Sequence, residues 1–161
     1  MSHPYDAAVK AIQSAYATQL KPIGFDDWVT AKGGIRALII AQHLGHTLVP
    51  GDKGADGIDA QKRTYEYKVS GTNQFAFHFG SRKSADADND AMIEKHFKGH
   101  HGAVCARIVD CKIVEYVFVP VRSIVADLKK HFRTCKGKQL NKVYSIERLK
   151  ALDGAAVNSV P

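Results

Sequence analysis

The sequence of 161 residues predicts an α/β protein, more closely an α+β arrangement in which a mixed sheet is flanked by helices. Segments with helical spacing of apolar residues alternate along the chain with short β-rich segments, and this pattern indicates the fold class. Hydrophobic residues make up 45% of the chain and charged residues 24%, the balance of an ordinary globular protein. The length suits one domain over residues 1–161 that buries a real core.

The first helix is predicted over residues 5–20. One apolar stripe at near-helical spacing runs along it, formed by Val9, Ile12, Tyr16 and Leu20. So much apolar surface near the terminus packs either on the core or on a second copy of the chain. We take residues 1–30 as a candidate N-terminal dimerisation segment within the single domain.

A second helix is predicted at about residues 34–44, after Lys32-Gly33-Gly34, with Gly45 as its C-cap. Residues 46–49 form a short strand, and residues 65–70 form the central strand of the sheet. A Gly-rich approach between these two strands carries acidic residues.

The next segment, residues 74–79, alternates in the manner of a half-buried strand. Its phenylalanine side chains face one side of the strand, and His78 faces the other side. The polar stretch 81–90 predicts a loop, and residues 91–98 form at most a short helix.

The second half of the chain begins with two β-rich segments joined by Asp110-Cys111, which predicts a tight hairpin. Ser123 is the predicted cap of a helix that runs to about Phe132. Residues 145–152 are predicted to form a last short helix, and the tail from Gly154 is expected to fray.

The net charge is +7, from 23 basic and 16 acidic residues, and favours nucleic acid or another anionic surface as a partner. The alternative is a basic surface that only faces water. Much of the charge lies in one run near the last helix, formed by Lys129, Lys130, His131, Arg133, Lys136, Lys138 and Lys142.

The three cysteines, Cys105, Cys111 and Cys135, have no disulfide-framework spacing and are interpreted as reduced thiols. The sequence has no apolar stretch of about 20 residues and no signal-peptide pattern at its start. We therefore expect a cytoplasmic protein with no membrane partner.

The strongest chemical motif is an acid, Asp56, followed after nine residues by Glu66-Tyr67-Lys68. Side chains alternate along a strand, so Glu66 and Lys68 should point the same way, about 7 Å apart along the strand. A turn through residues 60–63 would bring Asp56 beside them. Two carboxylates suit Mg²⁺, which takes its remaining ligands from water and phosphate, and a neighbouring lysine can act on a metal-activated water.

Residues from Gly33 to about Phe79 resemble the PD-(D/E)XK nuclease superfamily and, within it, the small type II restriction endonucleases. The resemblance is carried by the Gly33-Gly34 helix, by Gly54-Ala55-Asp56-Gly57-Ile58-Asp59 and by Tyr65-Glu66-Tyr67-Lys68. Weaker similarity continues through the hairpin at 104–119. The resemblance covers about half of the chain and implies a restriction-endonuclease-like fold.

The resemblance implies that Asp56, Glu66 and Lys68 are the catalytic residues. Asp56 and Glu66 would bind Mg²⁺ together with the backbone carbonyl of Tyr67, and Lys68 would act on the attacking water and the scissile phosphate. Asp59 matches a position outside this triad and is interpreted as mainly structural. The family also implies double-stranded DNA as substrate, a homodimer that cuts both strands of a palindrome, and a companion DNA methyltransferase for the same site.

The segments that read DNA depart from the pattern of the family. A run of histidines is reduced here to His78, and an acid-Asn pair is replaced by Ala31-Lys32. The base contacts therefore do not carry over, and the recognition sequence is expected to differ. The candidate DNA contacts are Lys32, His78, Ser81, Arg82, Lys83 and Asn141.

Two other functions remain open from the sequence. A repair nickase or junction resolvase of the same superfamily would share the triad but cut nicked or branched DNA. A non-catalytic DNA-binding protein on the same fold would not need Asp56, Glu66 and Lys68 to be intact. A zinc site is a further alternative, although its spacing matches no closed finger; its candidate ligands are His96, His100, His101, Cys105 and Cys111.

Overall fold

The computed structural model describes residues 6–23, 34–49 and 54–159. The first helix, α1, spans Asp6–Ala15. It continues as a π-helical turn over Tyr16–Leu20 and a 3₁₀ turn over Lys21–Ile23, so the predicted N-terminal helix is present. The packing of its apolar stripe lies outside what the structure describes, as do Lys32 and the rest of residues 24–33.

A six-stranded mixed sheet forms the centre of the protein. Its strands lie in the order β1-β2-β3-β5-β6-β8, and β3 and β5 are the parallel pair among antiparallel neighbours. Their bounds are Thr47–Leu48 (β1), Gly57–Ile58 (β2), Thr64–Ser70 (β3), His100–Val109 (β5), Lys112–Pro120 (β6) and Ala156–Ser159 (β8). The predicted α/β class with a mixed sheet is confirmed.

The connection from β3 to β5 passes through β4 (Gln74–Ser81) and helix α3 (Asp86–Phe97). A separate two-stranded antiparallel sheet pairs β4 with β7 (Gln139–Ser145). The remaining helices are α2 (Gly34–Leu44), α4 (Val121–Thr134) and α5 (Ile146–Lys150). No helix among the described residues is long and apolar enough to cross a membrane.

Two hydrophobic clusters lie on opposite faces of the main sheet. On one face, Cys105 and Val117 pack with α4, whose buried Ile124, Leu128 and Phe132 follow helical spacing. On the other face, α2 packs over Tyr65, Tyr67, Val104 and Ala106. Since neighbouring strand residues alternate faces, Glu66 and Lys68 belong to the face covered by α3, α4 and the small sheet.

The hairpin between β5 and β6 turns at Asp110-Cys111, as the sequence predicts. Both residues have positive φ, 49° and 59°. Two successive residues of positive φ give a type I′ turn, whose twist matches that of the flanking strands. The hairpin pairs β5 with β6, and β5 pairs with β3 on its other side.

Three boundary predictions are wrong. Residues 81–90 are not one loop, because α3 begins at Asp86. The buried Asn89 side chain accepts a hydrogen bond from Lys83 N at 2.8 Å and donates one to Lys83 O at 3.1 Å. Asp86 and Asp88 in the first turn also complement the helix dipole.

Ser123 does not cap α4, which begins two residues earlier, at Val121. Its hydroxyl donates instead to the Asp153 carbonyl at 2.7 Å. The tail after Gly154 is not frayed, because β8 pairs with β6 and gives the sheet its last strand. A paired edge strand recovers backbone hydrogen bonds that a free tail would leave to water.

Candidate active site

Asp56 lies at the entrance to β2 and is held by backbone and side-chain hydrogen bonds. Its N–H donates to Tyr65 O at 2.9 Å, and its carbonyl accepts from Val49 N at 3.0 Å. Its carboxylate oxygen Oδ2 accepts a hydrogen bond from Tyr67 N at 2.6 Å. Gly54 reaches this point with φ of 98°, a conformation that favours glycine. The acid is thus fixed against the flank of β3.

Glu66 and Lys68 occupy the same face of β3, as the alternation of the strand predicts. Lys68 Nζ donates to Glu66 Oε1 at 2.6 Å. The Glu66 side chain is 1% exposed, whereas that of Lys68 is 20% exposed. Lys68 Nζ also lies 5.3 Å from the centre of the Phe77 ring, within the range of a cation–π contact. The Lys68 side chain therefore reaches the surface beside a carboxylate that does not.

The carbonyl of Tyr67 faces the same flank of β3 as Asp56. In a strand, the N–H and C=O groups of one residue point to the same side, and the Tyr67 N–H points to the Asp56 carboxylate. Two carboxylates, one backbone carbonyl and one ammonium, the groups that the sequence marks as a site, therefore lie at or against residues 66–68 of β3.

Two histidines that the motif does not include also contact Glu66. His96, at the end of α3, places Nε2 3.4 Å from Glu66 Oε1. His100, at the start of β5, places Nε2 3.9 Å from Glu66 Oε2. From the sequence, these histidines are candidates only as ligands of the alternative zinc site. The approach of His100 to Glu66 depends on the parallel pairing of β3 with β5, and that of His96 depends on the position of α3.

The pKa of Glu66 reflects competing effects. Burial raises the pKa of this carboxyl, but the contacts with His96 and Lys68 outweigh burial and lower it from 4.5 to about 2. Glu66 is therefore a carboxylate at neutral pH, the form that can bind a cation.

Acid should destabilise the fold through Glu66. The folded-state pKa is below the ordinary value, so the stabilisation is complete above about pH 4.5 and is lost as the pH falls toward about 2. A lowering from 4.5 to about 2 corresponds to roughly 3 kcal/mol of unfolding free energy at neutral pH. Urea unfolding of the wild type and of Glu66→Gln between pH 2 and 6 gives the free energy of unfolding as a function of pH. The decrease in this free energy below about pH 4.5 should be smaller in the variant than in the wild type. The same pH dependence of unfolding free energy in both proteins would show that Glu66 is not responsible for it.

The donor groups of the site determine which metal ion it could bind. Within residues 6–23, 34–49 and 54–159, no group of three or more His, Cys, Asp or Glu side chains is placed to hold a metal ion. The zinc alternative gains nothing from the cysteines, since Cys105 is buried in β5 and Cys111 is exposed in the hairpin turn. For Mg²⁺ the donors fit, because Asp56, Glu66 and the Tyr67 carbonyl supply hard oxygen ligands and water or phosphate can supply the rest.

Asp59 has a structural position in the turn between β2 and β3. Its Oδ1 accepts hydrogen bonds from Gln61 N and Arg63 N, both at 2.9 Å. Its Oδ2 accepts from Arg63 Nε at 2.7 Å and from the Tyr65 hydroxyl at 2.8 Å. Although burial raises it, the pKa of Asp59 is held well below its usual range by these donors. The carboxylate organises the turn that brings Asp56 to Glu66.

Gly57, next to Asp56, has no space for a side chain. A Cβ there would lie 2.0 Å from the Tyr67 hydroxyl oxygen and 2.6 Å from Tyr67 Cζ. The ring cannot move freely, because it is buried and its hydroxyl is 2.8 Å from His46 Nδ1. The close approach of β2 to β3 therefore requires glycine.

Gly57→Ala should lower the free energy of unfolding by about 1–3 kcal/mol, the usual cost of overpacking. Denaturant unfolding followed by circular dichroism measures the effect. Gly71→Ala is the matched control, since a Cβ at Gly71 would meet its nearest atom, Ile108 O, at 3.8 Å. Equal stability of Gly57→Ala and the wild type would show that the ring yields.

The candidate DNA contacts fall into two groups. His78 and Asn141 are directly opposed across β4 and β7, and both side chains are exposed. Ser81 and Lys83 are exposed farther along the chain. Arg82 differs, because its guanidinium donates to the Phe132 and Cys135 carbonyls at the end of α4 and lies 3.3 Å from Asp86. Its contacts are those of a helix C-cap; Lys32 lies outside the described residues.

The basic run near α4 is partly neutralised by acidic neighbours. Lys129 pairs with Glu94, Arg133 pairs with Asp90 at 2.5 Å, and Lys142 pairs with Asp127. The remaining lysines of the run that face solvent are Lys130, Lys136 and Lys138. These three carry the charge available to a phosphate backbone.

A scan against models of known protein families finds no match, and a search of curated proteins finds no similar sequence. The site is therefore interpreted from its own residues and geometry.

Proposed function

We propose that the protein is a Mg²⁺-dependent type II restriction endonuclease of the PD-(D/E)XK kind. The observation that carries the proposal is the convergence on β3 of Asp56, Glu66 and Lys68. Asp56 Oδ2 lies 2.6 Å from Tyr67 N, and Lys68 Nζ lies 2.6 Å from Glu66 Oε1. These residues, separated in the sequence, form one charged site at the flank of a sheet.

The proposed reaction is in-line hydrolysis of a phosphodiester that leaves a 5′-phosphate and a 3′-hydroxyl. Asp56, Glu66 and the Tyr67 carbonyl would hold Mg²⁺, which supplies Lewis-acid stabilisation of the phosphate and lowers the pKa of bound water. Lys68 places a positive charge at the surface of the site, where it orients the attacking water and stabilises charge on the phosphate. Glu66 holds the lysine in this position through its Oε1 atom.

The exposed side of the β4–β7 sheet supports DNA as the substrate. A two-stranded β-ribbon fits the major groove of B-DNA, and His78 and Asn141 lie side by side on this ribbon. Lys83 and the exposed lysines after α4 would contact phosphates. The net charge of +7 agrees with such a partner.

A palindromic site requires two catalytic centres related by a two-fold axis, so we propose a homodimer. Residues 1–30 are the candidate dimerisation segment. The same proposal includes a cytoplasmic location and a companion DNA methyltransferase that protects the host site.

The test is digestion of phage and plasmid DNA by the purified protein. We expect discrete bands in Mg²⁺, no cleavage in EDTA, and one recurring palindrome with 5′-phosphates when the fragment ends are sequenced. Cleavage restricted to nicked or branched DNA would identify a repair nuclease or resolvase instead. Binding without cleavage of any substrate in Mg²⁺ would identify a non-catalytic DNA-binding protein.

A further inference from the structure

Three buried polar atoms near Glu66 have no hydrogen-bond partner among the described residues. They are Glu66 Oε2 and both ring nitrogens of His100. The Glu66 side chain is 1% exposed and that of His100 is 5% exposed. Buried polar groups are nearly always paired in folded proteins, and one left unpaired is destabilising. A bound species between these atoms accounts for the arrangement.

The spacing of the two groups fits an atom placed between them. His100 Nε2 and Glu66 Oε2 are 3.9 Å apart, too far for a direct hydrogen bond. Two metal–ligand bonds of about 2.1 Å span up to about 4.2 Å, so a divalent ion can contact both atoms. A bridging water also fits this distance.

The position is on the opposite side of Glu66 from Asp56. β3 lies between β2 and β5 in the sheet, Asp56 leads into β2, and His100 begins β5 opposite Thr64. The His96 ring is stacked nearly parallel to that of His100, with 6.5 Å between centroids and 9° between planes. The His100 side of Glu66 is therefore lined by imidazole, whereas the Asp56 side is lined by oxygen.

Imidazole changes which ion is preferred. Carboxylate, carbonyl and water ligands suit Mg²⁺, whereas an imidazole nitrogen favours first-row transition metals. Glu66 Oε1 contacts Lys68 and His96, whereas Oε2 has no hydrogen-bond partner among the described residues and can accept an ion on this side.

We propose that Glu66 Oε2 and His100 Nε2 bind a divalent transition-metal ion at a second position, separate from the Mg²⁺ site on the Asp56 side. Water fills the remaining coordination positions, because the described part of the chain presents no third side chain at that point. The inference rests on the proposed function only in that Glu66 is taken as the acid of the active site.

The experiment is Mn²⁺ binding to the full-length protein without DNA, followed by electron paramagnetic resonance. Pulsed spectra of the wild type should show ¹⁴N coupling from an imidazole ligand. His100→Leu should remove that coupling and weaken binding at this position by at least about tenfold. His101→Gln is the matched control, since its ring stacks on Phe118 on the other face of β5, and it should keep the coupling.

The wild-type spectrum tests the inference without any variant, and circular dichroism establishes whether His100→Leu is folded. Bound Mn²⁺ without nitrogen coupling, or coupling that persists in folded His100→Leu, overturns the inference in favour of a bridging water. Mg²⁺-dependent cleavage with no nitrogen-coupled Mn²⁺ would overturn this inference and leave the nuclease proposal intact. Nitrogen-coupled Mn²⁺ with no cleavage of any DNA would support this inference and overturn the nuclease proposal.

Discussion

Lys68→Ala is expected to reduce the rate of DNA cleavage in Mg²⁺ by about 10²–10⁴-fold, the usual effect of removing a group that acts on the attacking water. Lys68 Nζ is the cation that contacts Glu66 most closely, and the Lys68 side chain is partly exposed. Without it, the positive charge that would orient water or stabilise developing charge beside Glu66 is lost. Single-turnover cleavage of a plasmid that contains the recognition site measures the effect.

Two comparisons separate catalysis from folding. Lys112→Ala, which removes an exposed lysine at the start of β6, should cleave at the wild-type rate. Loss of Lys68 leaves Glu66 with fewer partners, so thermal melting must establish that Lys68→Ala is folded, and Lys68→Gln retains a donor of similar length. Cleavage by folded Lys68→Ala at the wild-type rate would refute the proposed mechanism.

Asp56→Asn is expected to weaken Mg²⁺ binding and to lower cleavage by roughly 10³-fold, because several kcal/mol of electrostatic stabilisation depend on the ion. The amide oxygen of asparagine can still accept the hydrogen bond from Tyr67 N, so the strand contact should survive. The substitution therefore removes the charge and keeps the shape. Isothermal titration with Mg²⁺ and single-turnover cleavage measure the two effects.

Asp59→Asn is the matched control for Asp56→Asn, since both acids flank β2. Asp59 binds Arg63 and the Tyr65 hydroxyl within the turn. Its replacement should lower the melting temperature and leave the Mg²⁺ affinity of the folded protein unchanged. If Asp59→Asn lost Mg²⁺ binding as Asp56→Asn does, the metal assignment would need to include Asp59.

Much of the fold was predictable because the signals are local. The alternation of Phe75, Phe77 and His78 defined β4, and the spacing of Ile124, Leu128 and Phe132 defined the buried face of α4. The errors fell where a particular side-chain contact, rather than the pattern of apolar residues, decides the outcome. Helix α3 begins at Asp86 in a stretch whose polar composition indicates a loop, because buried Asn89 ties that stretch to Lys83.

The candidate site was also predictable only in part. Glu66 and Lys68 share a face because strand side chains alternate, which the sequence alone determined. The hydrogen bond from Tyr67 N to Asp56 depends on how β2 lies against β3, and Gly57 permits that approach by leaving space for the Tyr67 ring. The sequence predicts that Asp56 lies near β3, and tertiary packing determines that its carboxylate contacts the Tyr67 N–H.

The neighbours of Glu66 were decided by tertiary structure alone. His100 reaches Glu66 because β5 runs parallel to β3, with an irregular register between Thr64 and Tyr65. No local pattern encodes that register, since it results from the packing of both faces of the sheet. The sequence by itself determined the α/β class and the acids and lysine of the motif. Only the tertiary structure brought two imidazoles to the carboxylate, one from β5 and one from α3, because contacts between distant segments are set by the packing of the whole domain.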